Sequence, residues 1–254
     1  VDDQQECDDM IDMHSHILPG VDDGAKDMAE ALAMAELAVA SGVKIMVTTP
    51  HGLSSPFNVA ASTRDLVLKD LRQEFQRRHL VLELLPGMEC WADEKALNEA
   101  LAHPECFMNY RPEDAGRKCL LVECPPMFDL PMVDSLLFQA QIKGIDLILA
   151  HPERHPGFHR YERLLAAMMD KGLTLQFNAE DIRKRRWLWG AERVTRRLMA
   201  RNPAQIVLGS DTHSKDKRPP NLAFAREVIC EWFDEGMWEQ LSVRNPSRLL
   251  GLKD

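Results

Sequence analysis

The 254-residue sequence contains no apolar run near the roughly 20 residues that a helix needs to cross a bilayer. It opens on acidic residues rather than on a basic stretch followed by an apolar one, so a secretory leader is not expected and the chain reads as soluble and cytoplasmic. A basic stripe is also missing. Lys and Arg total 31 against 40 Asp and Glu, for a formal net charge of -9, which argues against nonspecific binding to nucleic acid or acidic lipid. The one basic run, residues 183–186, reads as a solvated helix face or loop. Cys7, Cys90, Cys106, Cys119, Cys124 and Cys230 form no C-x-x-C pair and lack the dense spacing of a disulfide scaffold, so they are expected to be reduced and mostly buried. None is followed six positions later by an arginine, which excludes a phosphate-cradling C-x5-R loop with a cysteine nucleophile. No Pro/Gly/Ser-rich linker divides the chain, and residues 10–254 are expected to form one domain. Residues 1–9 carry five carboxylates and no initiator Met; they are expected to be a disordered, processed or truncated end outside the fold.

What the chain does have is a regular alternation. Short β-type runs at 10–14, 43–48, 80–85, 119–123, 145–150, 174–178 and 205–209 are separated by helical patterns at 28–40, 63–78, 131–143, 161–171, 192–200 and 221–234. Strands alternating with helices predict a mainly parallel sheet covered on both faces. Gly42, Gly144 and Gly172 each follow a helix and precede a strand, where a left-handed cap is wanted. The fold class expected is α/β, with the strands closing into one barrel.

The polar residues collect where the strands stop. The first strand runs into Asp12-Met13-His14-Ser15-His16, and alternation along an extended segment puts His14 and His16 on one side, able to share a metal. A lone H-x-H is weak evidence; the other strands decide. They run into Thr49-Pro50-His51, Gly87-Met88-Glu89, Val122-Glu123, Ala150-His151-Pro152-Glu153-Arg154 and Ser210-Asp211-Thr212-His213. In parallel barrels such ends converge on one mouth. Asp23, in Gly20-Val21-Asp22-Asp23-Gly24, is near enough to join. So many carboxylates crowded together call for cations to neutralise them. Imidazole with carboxylate suits manganese, iron or zinc rather than a structural Cys-rich zinc site. Cys90 and Cys124 directly follow proposed ligands, and alternation is expected to aim them away as small buried hydrophobes. His79, His103, His155 and His159 lie off the strand ends and are expected to bind no metal.

At these residues the sequence resembles the PHP (polymerase and histidinol phosphatase) superfamily, and within it the manganese-dependent bacterial protein tyrosine phosphatases of the CpsB/CapC type. The match is carried by Asp12-Met13-His14-Ser15-His16-Ile17-Leu18-Pro19-Gly20-Val21-Asp22-Asp23-Gly24, then Thr49-Pro50-His51, Ala150-His151-Pro152-Glu153-Arg154 and Ser210-Asp211-Thr212-His213, and it extends from Ile11 to Asn245-Pro246. The resemblance implies a distorted seven-stranded (β/α)7 TIM-like barrel holding three divalent ions, manganese first, with iron or zinc as alternatives. It implies one ion on His14, His16, Glu89 and Asp211, a second on Glu89, Glu123 and His151, and a third on Asp23, His51 and His213. Four carboxylates against three such ions leave a surplus of about two positive charges to attract phosphate. The family's arginines map onto Arg154 and Arg218, which would clamp the phosphoryl oxygens, with Lys217 able to stand in for Arg218 as a point charge. The sequence departs from the family at Asn178-Ala179-Glu180-Asp181-Ile182 and the Trp-containing residues 183–189. The plainest expectation there is Trp187 and Trp189 packing on the barrel.

The reaction so implied is hydrolysis by a metal-bridging hydroxide, without a covalent enzyme intermediate. The implied substrate is the phosphotyrosine-bearing tail of a bacterial tyrosine autokinase of capsule or exopolysaccharide synthesis. Two rivals stand beside it. A histidinol-phosphate or other small-molecule phosphatase of the superfamily would share nearly the same metal chemistry; a non-catalytic regulatory barrel would lack ligands, and none is missing.

Overall fold

A computed structural model describes residues 9–111, 118–125, 131–183 and 190–252. Cys7, most of the 1–9 segment, Trp187, Trp189 and all of the basic run except Arg183 lie outside the described residues. Within them the strands are β1 (Met10–Ser15), β2 (Val43–Thr48), β3 (Glu83–Pro86), β4 (Glu89–Trp91), β5 (Cys119–Glu123), β6 (Asp146–Ala150), β7 (Thr174–Asn178) and β8 (Ile206–Gly209). All ladders are parallel, in a three-stranded sheet β1-β2-β3 and a five-stranded sheet β4-β5-β6-β7-β8. The architecture is α/β with parallel sheets, as the alternation predicts.

The seven-strand count needs correcting. The run expected to carry Glu89 at its end breaks at Gly87-Met88, and Glu89 opens a separate short strand belonging to the other sheet. At the break the chain lies close against the end of β2: a Cβ on Gly87 would stand 2.8 Å from a Val47 side-chain carbon, which favours glycine there. Two isolated parallel bridges join the sheets, Ser15 with Thr212 and His51 with Glu89.

Burial explains why these segments are strands. Every residue of β1, β7 and β8 is buried, and parallel strands covered on both faces require this. The covering helices are α1 (Met28–Ala40), α2 (Ala61–Arg78), α3 (Glu94–Ala102), α4 (Pro131–Ile142), α5 (Glu162–Asp170), α6 (Ala191–Arg201) and α7 (Leu222–Trp232). Asp27, Asp93 and Asn221 cap α1, α3 and α7 by accepting a backbone N–H of the first turn. Gly42, Gly144 and Gly172 have φ of 92°, 65° and 104°, the left-handed conformation expected of them. Leu208, Leu175 and Ile148 lie fully inside, where truncation to Ala would cost about 2–5 kcal/mol. At the far end, the Asn245 side-chain amide donates to the carbonyls of Pro203 and Ile206, both at 2.7 Å, tying the last helix to the start of β8. No helix among the described residues is long and apolar enough to cross a membrane.

Candidate metal centre and phosphate site

β1 and β8 are locked together where they deliver their side chains. Asp211 N–H donates to His14 O at 2.8 Å, His16 N–H donates to Thr212 O at 2.9 Å, and Asp12 Oδ1 accepts from Ser210 N–H at 2.9 Å. Gly209 permits the approach, since a Cβ there would stand 2.5 Å from the His14 Cβ. Two non-glycine residues are left-handed at this end, His151 with φ 31° and Asp211 with φ 51°. Such backbone strain persists where surrounding structure over-determines it, often at functional sites.

All nine expected ligand residues come together. Glu89 is the hub: its Oε1 lies 2.9 Å from His151 Nε2 and 3.4 Å from His14 Nε2, and its Oε2 lies 3.3 Å from His16 Nε2 and 3.2 Å from His51 Nδ1. Asp211 Oδ1 is 3.6 Å from both His14 Nε2 and His16 Nε2. Asp23 Oδ1 sits 3.4 Å from both His51 Nε2 and His213 Nε2, and Glu123 Oε1 3.4 Å from His51 Nδ1. Among the described residues, four sets of donors lie within 4.8 Å of one another: His16, Asp23, His51 and His213; His14, His16 and Asp211; His14, Glu89 and His151; and His51, Glu89 and Glu123. The partition implied by the resemblance shares Glu89 alone between ions, whereas here His14, His16 and His51 each fall in two sets as well. The cluster is tight enough that one ring reaches two groups.

The donor chemistry fits divalent cations. His16 Nδ1 donates to Asp22 Oδ2 at 2.8 Å and His14 Nδ1 faces Gln176 Oε1 at 2.8 Å, so both rings turn Nε2 inward, only 3.1 Å apart. Two inward lone pairs at that distance repel unless a proton or a metal cation takes them up. His51 Nδ1 is likewise buried with no hydrogen-bond partner. Burial opposes charge on His16, yet hydrogen bonds to Asp22 and Glu89 outweigh it and hold the ring well above the usual histidine range. Glu89 shows the converse: burial penalises its charge, but His14 and the other imidazoles hold it well below the usual carboxylate range. Glu123 is raised by burial and by the charge of Glu89. Oxygen and imidazole nitrogen without thiolate suits manganese, iron or zinc.

Arg154 and Arg218 both reach the same carboxylate oxygen. Arg154, in a tight turn at Pro152–Arg154 after β6, donates from Nη1 to Asp211 Oδ2 at 2.9 Å, and Arg218 pairs with that oxygen as well. Arg218 is brought in because residues 212–218 fold back: Thr212 Oγ1 and His213 N–H both donate to the Arg218 carbonyl. Both guanidiniums line a cavity of about 400 Å³ with Glu123, His151, His213 and Asp23.

Cys124 corrects one expectation: it is partly exposed and lines this cavity, because β5 ends at Glu123 and the strand alternation ends with it. Burial still pushes its thiol up to about 12, and it belongs to none of the metal-capable sets among the described residues. Cys90 is fully buried, as expected. His155 also lines the cavity, with Nδ1 accepting from Gly157 N–H at 3.1 Å, and none of the four remaining histidines belongs to a metal-capable set.

Several residues of the site were not singled out from the sequence. Asp22 orients His16 and accepts from His51 N–H. Gln176 and Asn178 project from β7 to His14 and Asp211. Phe57 stacks on the His51 ring, centroids 5.3 Å apart and planes within 8°. The alternation of polar Thr174, Gln176 and Asn178 with apolar Leu175 and Phe177 was the available signal for β7, and the departure segment beginning at Asn178 enters the site, with Asp181 3.9 Å from Arg154.

Tyrosine-protein phosphatase CpsB of Streptococcus agalactiae is 27% identical over 248 residues, covering 95% of this chain and 98% of the relative. Tyrosine-protein phosphatase YwqE of Bacillus subtilis is 29% identical over 174 residues, 68% of this chain and 66% of the relative. A crystal structure from work on YwqE of Bacillus subtilis and CpsB of Streptococcus pneumoniae, described as unique metal-dependent tyrosine phosphatases, superposes with a TM-score of 0.82 at 25% identity, covering 96% of both chains. Residues 10–251 match the family described as "Capsular polysaccharide synthesis, CpsB/CapC", and the chain belongs to that family.

Proposed function

We propose that this protein is a metal-dependent phosphatase that removes phosphate from tyrosine on a protein. The observation that carries the reading is the convergence of five imidazoles and four carboxylates on one cavity edge, with Arg154 and Arg218 on the same Asp211 oxygen. Relatives that align with this chain almost end to end, and share its fold, are named for that activity.

The metal ligands in this reading are His14, His16, Asp23, His51, Glu89, Glu123, His151, Asp211 and His213, for three divalent ions, manganese foremost. Such ions, when bound, would lower the pKa of water toward neutrality and offset charge on the phosphoryl group. The chain's own residues do the rest. Arg154 and Arg218 offer paired N–H donors to phosphoryl oxygens, in competition with Asp211, and stabilise charge growing on the equatorial oxygens. Asp22 and Gln176 hold the rings of His16 and His14 so that Nε2 points inward. Among the described residues, the one cysteine lining the cavity is Cys124, whose thiol burial pushes up, away from the thiolate a nucleophile needs. Phenolate leaves readily enough that a general acid is helpful rather than required.

Two further readings belong with this one. The two sheets act as the walls of one distorted barrel, a view supported by the Ser15–Thr212 and His51–Glu89 bridges. The physiological substrate is the phosphorylated tail of a bacterial tyrosine kinase serving capsule or exopolysaccharide synthesis, a reaction of the cytoplasm; the family's description supports the capsule role and the relatives' names the phosphotyrosine. The experiment that tests the function compares turnover of a phosphotyrosine peptide with that of histidinol phosphate by the manganese-loaded enzyme. The peptide is expected to be strongly preferred; preference for histidinol phosphate would replace this reading by the small-molecule one.

A further inference from the structure

β7 contributes no histidine or carboxylate to the site, yet it places two fully buried amides there, Gln176 and Asn178, on one face of the strand. Their order of hydrogen bonds is fixed from one end. Asp211 Oδ2 already receives Arg154 and Arg218, and a carboxylate in that position can only accept. Asn178 therefore turns its NH2 group to it, Nδ2 to Oδ2 at 2.7 Å, which leaves its Oδ1 facing Gln176. Gln176 in turn presents Nε2 to Asn178 Oδ1 at 3.0 Å, which leaves its Oε1 facing His14 Nδ1 at 2.8 Å. The backbone N–H of His151 points at the same Oε1 from 3.4 Å, a second donor that favours oxygen at this position. An acceptor opposite Nδ1 requires the proton on Nδ1, so the His14 Nε2 lone pair is the one turned into the ligand cluster.

From this geometry we infer that Gln176 and Asn178 are positioning residues forming a relay through which the Asp211 carboxylate sets the tautomer of His14. The inference rests on the metal-dependent reading for its purpose, and on the hydrogen-bond order alone for its existence. Reversing both amides would aim an NH2 group at Nδ1, move the ring proton to Nε2 and point it at His16 Nε2, closing His14 to a cation. What resists that reversal is Asp211, since it would set Asn178 Oδ1 against a carboxylate oxygen; Gly209 leaves the room the Gln176 amide occupies, a Cβ there standing 2.9 Å from Nε2. Asp211 and His14 are thus linked through the two amides, and loss of either frees the other to turn.

The test uses the full chain labelled with ¹⁵N-histidine. In the metal-stripped protein in alkaline buffer, where imidazole is neutral, long-range ¹H–¹⁵N spectra are expected to show His14 protonated on Nδ1 alone. Gln176→Leu is expected to give a mixture of tautomers and zinc binding weaker by about 10- to 100-fold, the usual cost of losing a partner behind a metal-bound histidine. Gln176→Glu keeps an oxygen opposite Nδ1 and is expected to retain the wild-type tautomer and most of the zinc affinity. Asn178→Ala, a gentler change, asks the same question of the far end and replaces Gln176→Leu if that variant does not fold. A wild-type tautomer in the Gln176→Leu or Asn178→Ala protein would overturn the relay whatever the zinc affinity. Wild-type protein that binds no zinc but keeps the Nδ1–H tautomer would sink the metal reading and leave the relay standing.

Discussion

The two halves of the site are built differently. In the inner half the side chains of His14, His16, Glu89 and Asp211 are at most 2% exposed, and protein groups saturate them from behind: Gln176 on His14, Asp22 on His16, Asn178 and two guanidiniums on Asp211. In the outer half Asp23 is 50% exposed, Glu123 18%, His51 13% and His213 11%, and Asp23 is held only by two imidazoles at 3.4 Å. Charges fully removed from water need compensating partners, and the inner half has them. The outer half keeps access to solvent and substrate, and its geometry depends more on what it binds. One site thus joins a preorganised floor to an adaptable rim.

Breaking the floor should cost most. Glu89→Ala removes the carboxylate shared by four imidazoles and is expected to lower kcat/KM by at least about 10³-fold, measured by steady-state turnover of a phosphotyrosine peptide. Next come the arginines that bridge floor and rim: Arg154→Ala and Arg218→Ala are each expected to lower kcat by about 10²–10³-fold, the cost of one positioned donor to transition-state charge. Lysine at either position should recover only part of the loss, since it lacks the planar fork. Asp22→Ala leaves every ligand in place but frees the His16 ring, and calorimetric titration should show metal binding weakened by about 10- to 100-fold. Asp23→Asn, at the open rim, is expected to weaken binding by only about tenfold, in line with its exposure to solvent screening. A rim variant more damaging than Asp22→Ala would reverse the comparison.

Proton competition sharpens it further. His14, His16 and His51 are raised, because Glu89, Asp22, Asp23 and Asp211 outweigh the burial that opposes their charge, whereas His213 is lowered by burial and by nearby His16. Histidines raised on folding stabilise the metal-stripped protein fully below their ordinary value of 6.5, and that contribution disappears as pH climbs through the raised values. The melting temperature of metal-stripped protein should therefore fall as pH rises above about 6.5, while the gain from added manganese grows over the same range as protons leave the ligands. A flat gap between the two melting curves would contradict proton–metal competition.

The site's ligands were readable in the sequence and their supports were not. His14, His16, His51, His151, Asp211 and His213 fall at strand ends whose apolar runs announce themselves, so the alternation alone brings them to one mouth. Glu89 was found by the same rule for a partly mistaken reason: it opens β4 in the second sheet rather than closing the strand before it, because a three-residue strand has too short a pattern to read. In Gly20-Val21-Asp22-Asp23-Gly24 only Asp23 was picked out, and nothing local shows that the Asp22 carboxylate lies behind His16. Gln176 and Asn178 carry no charge, and their value lies in contacts to residues 162 and 33 positions away. Cys124 escaped because alternation was extended one residue past the end of its strand. Helix α3 was missed too, its short amphipathic pattern lost between a brief strand and a loop.

The most direct test of the whole account is anomalous diffraction from crystals of the manganese-loaded protein. The account predicts manganese peaks within bonding distance of Glu89, His14, His16 and Asp211, with further density toward Asp23, His51 and His213. Manganese absent from this cluster, or bound elsewhere on the molecule while phosphotyrosine hydrolysis proceeds, would contradict it.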